Sequence, residues 1–126
     1  MLATALPSIA GQLGSSGQPF LSARRVADML GVTLAEVAAL TGLARNTLTA
    51  ASGARKVDGA LGPIVRILAM AAEMAGDEGR AALWFKHQPI PGWAGKTAAD
   101  LVREHKAEKV LAYLEAVRAG GFFNSE

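Results

Sequence analysis

The sequence predicts an all-helical protein, and three observations carry that expectation. No segment alternates apolar and polar residues over a strand's length between hairpin turns. Hydroxyl and carboxylate residues repeatedly stand just ahead of apolar residues at helical spacing, and glycines close those runs. With 126 residues, 51% hydrophobic and 19% charged, the chain suits a single compact domain or two small helical modules sharing a core, and wholesale disorder is excluded. The absence of cysteine rules out disulfides, thiolate zinc sites and cysteine nucleophiles and gives no sign of an oxidising compartment, so a cytoplasmic location is expected.

Residues 1–20 hold no charged side chain. Pro7, Gly11, Gly14, Ser15, Ser16, Gly17 and Pro19 interrupt any regular element there, so the segment is expected to be a flexible arm. It lacks the basic start and unbroken apolar stretch of an export signal. Ser22 then caps a first helix with Val26, Met29 and Leu30 on its buried side, ending at Gly31. Thr33 and Glu36 have the spacing of a capping box, opening a second helix that runs through Leu40 and stops at Gly42. A third is expected over residues 45–52, closed by Gly53. Pro63 stands where a proline begins a helix without losing a hydrogen bond, and Ile64, Val65, Ile67, Leu68, Met70, Ala71 and Met74 make that helix central. Residues 64–75 are interrupted by Arg66 and Glu73 and fall short of the ~20 residues that span a bilayer, so no membrane passage is expected.

After Gly76 an Asp77-Glu78 start leads to a short helix reaching Trp84 and Phe85, followed by a stiff loop with Pro89, Pro91, Gly92 and Gly95. The change of texture divides the chain into an arm over residues 1–20, a domain over 21–76 and a second domain over 77–126. Thr97 and Asp100 repeat the capping-box spacing, and Val110, Leu111, Leu114 and Val117 give a last helix its apolar stripe before Gly120 and Gly121.

Within residues 34–51, Val37 and Leu40 face a core and Ala38 is small where two helices cross. Gly42 permits a left-handed turn, and Leu43 and Leu48 anchor the next helix. This register resembles the helix-turn-helix of Xre-type repressors, in which the second helix enters the major groove. The resemblance implies that Arg45, Asn46 and Thr49 are the exposed readers and that Thr47 meets a phosphate. Arginine pairs bidentately with guanine and asparagine with adenine, so the pair is chemically fit for direct readout. Arg55 and Lys56 add charge after Gly53, and Arg24 and Arg25 are candidate phosphate contacts from the first helix. The net charge is only +2, yet residues 45–66 hold four basic side chains and one acid, Asp58. Residues 1–76 carry six basic and four acidic residues against seven of each in 77–126, so the whole excess lies in the front half. Ala44 stands where these motifs commonly place a capping serine. The alternative is a plain helical bundle whose basic residues only solvate its surface.

Further along come Trp84-Phe85, Pro89-Ile90-Pro91, the run from Gly95 through Lys96, Thr97, Ala98, Ala99, Asp100 and Leu101 to Val102, Val110-Leu111 with Leu114, and Gly120-Gly121-Phe122. This succession is similar to the carboxy-terminal domain of Xre/MbcA/ParS-like antitoxins, with the helix-turn-helix ahead of it as in that family. The resemblance implies a domain that joins two antitoxin protomers and binds a RES-domain toxin, an NAD consumer whose active-site cleft is obstructed by the antitoxin's carboxy-terminal end. It implies operon repression through the helix-turn-helix. Phe122 and Phe123 are large apolar groups beyond a helix stop, of a kind that anchors in a partner's pocket. Trp84, Phe85 and Trp93 are further candidate toxin contacts, with a role in the core as the alternative for each. Ala98 replaces a proline common in the family. His105 and Lys106 occupy a turn where glycine is frequent, which leaves the shape of that turn open.

Nothing in the sequence assembles a catalytic or metal site. His87 and His105 lack a metal-ligand spacing, and nucleophile-elbow, phosphate-loop and dinucleotide motifs are absent, so no enzymatic activity and no cofactor are expected. Glu104 and Glu108 read as a solvated face. The sequence thus leads to a homodimeric antitoxin that represses its own operon by binding operator DNA and occludes a RES-domain toxin. A stand-alone regulator without a toxin is the alternative, as is a toxin-binding adaptor that has ceased to read DNA.

Overall fold

The structure, a computed structural model, describes residues 21–120. The expected flexible arm over residues 1–20 and the phenylalanines Phe122 and Phe123 lie outside the described residues. Among those described the protein is all-α, with seven α-helices: α1 (Ala23–Leu30), α2 (Leu34–Thr41), α3 (Arg45–Thr49), α4 (Ala54–Ala75), α5 (Glu78–His87), α6 (Ala98–Arg103) and α7 (Ala107–Arg118). A single 3₁₀ turn, Ala51–Gly53, joins α3 to α4. The nearest approach to a strand among these residues is the isolated bridge between Pro89 and Thr97.

Local chemistry sets most of the boundaries. Ser22 Oγ accepts the Arg25 amide at 3.3 Å to open α1, and Gly31, at φ +71°, closes it. Both capping boxes form. Thr33 Oγ1 accepts the Glu36 amide at 3.1 Å while Glu36 Oε1 accepts the Thr33 amide at 2.8 Å, and Thr97 and Asp100 exchange the same bonds at 3.1 and 3.0 Å. Gly42 ends α2 at φ +75°, a left-handed conformation that glycine adopts without strain.

Two expectations are corrected. The third helix stops at Thr49 and gives way to the 3₁₀ turn instead of running on to Ser52. Pro63 does not begin the central helix but lies inside it, because α4 already starts at Ala54. An interior proline costs about 3 kcal/mol, since the Gly59 carbonyl loses its helical donor. Against that, α4 buries Val57, Leu61, Ile64, Val65, Ile67 and Leu68, each contributing roughly 1.5–3 kcal/mol. Burial wins, and the helix continues through the proline.

That long helix is the spine of one core. It packs against α5 and α7 on one side and against α1 and α3 on the other, while α6 sits on α2, α5 and α7. The buried residues form one cluster running from Ala23 to Leu114, so residues 21–76 and 77–120 share it. Lys86 of α5 lies over the end of α1, its Nζ 3.4 Å from where a β-carbon on Gly31 would stand. Having no basic residue in its own last turn, α1 receives from Lys86 the positive charge that a helix C-terminus favours. No single helix among the described residues is long and apolar enough to cross a membrane. The pair α4 and α5 meets that test by length and composition but is bent by 118°.

Phe85 is fully buried at the centre of this core, which corrects its assignment as a toxin contact: it has no surface to offer in the folded chain. Its α5 neighbour Trp84 is half-buried against the core, and so is Trp93. Replacing Phe85 with Ala is therefore expected to cost about 3–5 kcal/mol of unfolding free energy, to be measured as a fall in the urea midpoint.

Candidate functional site

The stretch expected to form a helix-turn-helix comprises α2, the turn at Gly42 and α3. Val37 and Leu40 fix α2 to the core, Leu48 fixes α3, and Leu43 packs against the same cluster from the turn. Thr41 ties the turn from within: its hydroxyl lies 3.0 Å from the Val37 carbonyl, to which it donates, and accepts the Leu43 amide at 3.2 Å. These anchors leave Arg45, Asn46 and Thr49 exposed on α3, as readers of a groove need to be, while Thr47 is half-buried. Ala44 supplies no side-chain cap, so the first amides of α3 lack that acceptor.

Beside this helix lies a shallow depression of about 310 Å³ lined by Asn46, Thr47, Ala50, Ser52, Gly53 and Lys56. Gly53 is required by the close approach of Thr47: a β-carbon there would stand 3.0 Å from both Thr47 Cγ2 and the Thr47 carbonyl oxygen. Ser52 was not among the residues expected here. Its presence follows from the 3₁₀ turn, which no residue spacing announced. Arg55, Lys56 and Arg66 are exposed along α4, and Arg24 and Arg25 are exposed at the start of α1, which touches α3. The one acid in this basic stretch, Asp58, is half-buried and occupied, its Oδ1 accepting the Leu21 amide at 2.9 Å. The local excess of positive charge is thus left facing outward.

The rear half is organised around the loop between α5 and α6. Ile90 is buried, its amide donating to the Lys96 carbonyl at 2.8 Å, and Trp93 and Lys96 continue the turn with bonds to Ile90 and Trp93. Lys106 Nζ stands 5.5 Å from the centre of the Trp93 ring, within range of a cation–π attraction. Beyond α6 the chain turns through His105 at φ +64° and enters α7. The turn keeps the left-handed backbone that glycine favours, with a histidine held in it. Leu83, 57% exposed, and Met74 are the large apolar side chains left most open among the described residues.

This succession of helix end, α5, closed loop, capped α6, left-handed turn and α7 is the part that comparison recognises. Residues 70–120 match the model of the antitoxin Xre/MbcA/ParS C-terminal toxin-binding domain. Over these residues the chain is similar to the Xre/MbcA/ParS antitoxin family. The match opens inside α4, ahead of the change of texture after Gly76, so the end of the spine belongs to the antitoxin domain. No curated protein and no solved structure matches the chain. An Xre/MbcA/ParS domain supports an antitoxin role within a toxin–antitoxin system and implies a toxin as partner, which points to a regulator that acts by binding. Among the described residues no group of three or more His, Asp or Glu side chains is placed to hold a metal ion.

Among the described residues three carboxylates sit below their ordinary range. Amide and hydroxyl hydrogen bonds from Thr33 lower Glu36, and those from Thr97, with Arg103 beside them, lower Asp100. Ion pairing with Lys96 and then Lys106 lowers Glu104, at 2.7 and 3.3 Å. The sign follows: a carboxylate lowered on folding contributes stability above its unfolded pKa and loses it as the pH falls through the folded value. For Asp100, whose ordinary value is 3.8, that loss lies below about pH 4. Asp100→Asn should flatten the fall of Tm between about pH 5 and about pH 2, as followed by circular dichroism, while lowering Tm at neutral pH.

Proposed function

We propose that the chain is the antitoxin of a type II toxin–antitoxin system, acting in the cytoplasm as a homodimer. It neutralises a RES-domain, NAD-consuming toxin by covering its active site, and it represses its own operon by binding operator DNA. The toxin-binding domain at residues 70–120 carries this reading. It is supported at the front by the exposure of Arg45, Asn46 and Thr49 on a helix whose apolar anchors face inward, with Arg55 and Lys56 exposed nearby. Neither activity involves a covalent step or a cofactor.

Arg45 would pair with a guanine edge, Asn46 with an adenine, and Thr49 would add a contact to either. Thr47, Arg24, Arg25, Arg55 and Lys56 would hold phosphates and set the register without reading sequence. A dimer presents two reading helices to paired half-sites, which compensates for the weak contact area of one short helix. At the rear, Phe122 and Phe123 would enter the toxin's cleft, and Trp84 and Trp93 would offer their exposed edges beside it.

A pull-down of the adjacent gene product with the full chain, and with a chain ending at Gly120, tests the antitoxin reading. Capture and neutralisation by the full chain, weakened by the truncation, are expected. No capture by the full chain favours a stand-alone regulator, and unchanged capture by the shorter chain removes the tail from the mechanism. For DNA, Arg45→Ala should weaken binding to a duplex of the chain's own promoter by about 1–3 kcal/mol and relax specificity at one position. Equal affinity and salt dependence in both proteins would dismiss α3 as the reader.

A further inference from the structure

The reading helix is short and lacks a side-chain cap, so its own sequence does little to fix its direction. What fixes it must act at its two ends. At the far end Thr47 lies against Gly53. At the near end the turn through Gly42 has an exposed neighbour from outside the helix-turn-helix: a β-carbon on Gly42 would stand 3.3 Å from Cε1 of His105 and 3.9 Å from its Nε2. The imidazole of the antitoxin domain therefore occupies the space over the one glycine that sets the angle between α2 and α3. To place it there His105 adopts φ +64°, a left-handed backbone that a histidine pays strain to hold.

The seam around this contact is open. A cavity of about 340 Å³ lies below it, its walls including Thr41 of α2, Gly59 and Pro63 of α4, and His105 and Glu108. Thr41 and Leu43 hold the turn from within, and from across this seam the imidazole is the side chain that meets Gly42. We infer that His105 is a positioning residue for DNA reading: the antitoxin domain sets the direction of α3 through the contact of its imidazole with Gly42. The inference rests on the proposed assignment of Arg45, Asn46 and Thr49 to DNA, and it makes the rear half a component of the reader.

The discriminating variant is His105→Gly, because glycine removes the imidazole while favouring the left-handed backbone. A full-length His105→Gly chain should keep or raise its Tm yet bind the promoter duplex about tenfold more weakly. The salt slope should be unchanged, since no phosphate contact is lost. His105→Asn, which tolerates the same backbone and keeps a planar side chain, should recover part of the affinity. Promoter binding by His105→Gly equal to wild type overturns the inference, and so does a loss of affinity that merely tracks a lowered Tm. If the wild-type chain captures its toxin but binds the duplex no better than an unrelated one, the assignment of α3 to DNA fails instead, and this inference with it.

Discussion

Burial of the broad apolar face of α4 is the constraint on which everything else depends. The helix is continuous from Ala54 to Ala75, and its buried residues form one broad apolar face from Val57 to Ala72, with Arg55, Lys56 and Arg66 left exposed. The front helices α1 and α3 and the rear helices α5 and α7 all pack against it, and α1 also reaches across to α5. Neither half is a core by itself. A chain with three short helices in front and three behind would have too little interior to hold either arrangement alone, and sharing a spine removes that difficulty.

This sharing explains why the break at Gly76 marks a corner and not a gap. Gly76 ends α4 in the left-handed conformation and Asp77 caps α5 at once, accepting amides from Gly79 and Arg80. The chain folds back on itself within one turn, which brings Ala81, Ala82 and Phe85 down onto the spine. A family domain that begins at residue 70 is consistent with the same physics: the end of α4 is the floor on which α5 and α7 lie. The carboxylate of Glu73 and the guanidinium of Arg118, 3.5 Å apart, join the end of that floor to the end of α7.

Much of this was legible because it is governed by short-range chemistry. Ser22, Thr33 with Glu36, Thr97 with Asp100, Gly31, Gly42 and Gly76 each act on amides and carbonyls within a few residues, and each does in the structure what its spacing implied. Pro63 was misread for the opposite reason. The local rule for proline favours a first turn, but the apolar positions on both sides of it impose a tertiary cost on any break that exceeds the cost of the missing hydrogen bond. Phe85 was misplaced among toxin contacts because an aromatic residue looks the same in sequence whether it fills a core or a partner's pocket. Its orientation is settled only by where α5 lies on α4, a long-range fact. Lys86 beside Gly31 and His105 beside Gly42 belong to the same class.

The short helix α3 shows how such long-range facts enter the proposed function. A five-residue helix with a neutral, non-capping residue ahead of it has few hydrogen bonds of its own and loses the usual contribution of a serine or aspartate at its start. Its exposed face nevertheless consists of polar side chains whose use in a groove depends on the direction in which the backbone carries them. An element with weak internal preference and a strict geometric duty must borrow its rigidity from neighbours. Here the supports are Leu48 in the core, Gly53 against Thr47 at the entry to the spine, and the turn at Gly42, which His105 reaches from far along the sequence. The economy of the short helix is therefore possible only in a chain whose front and rear are one folded body.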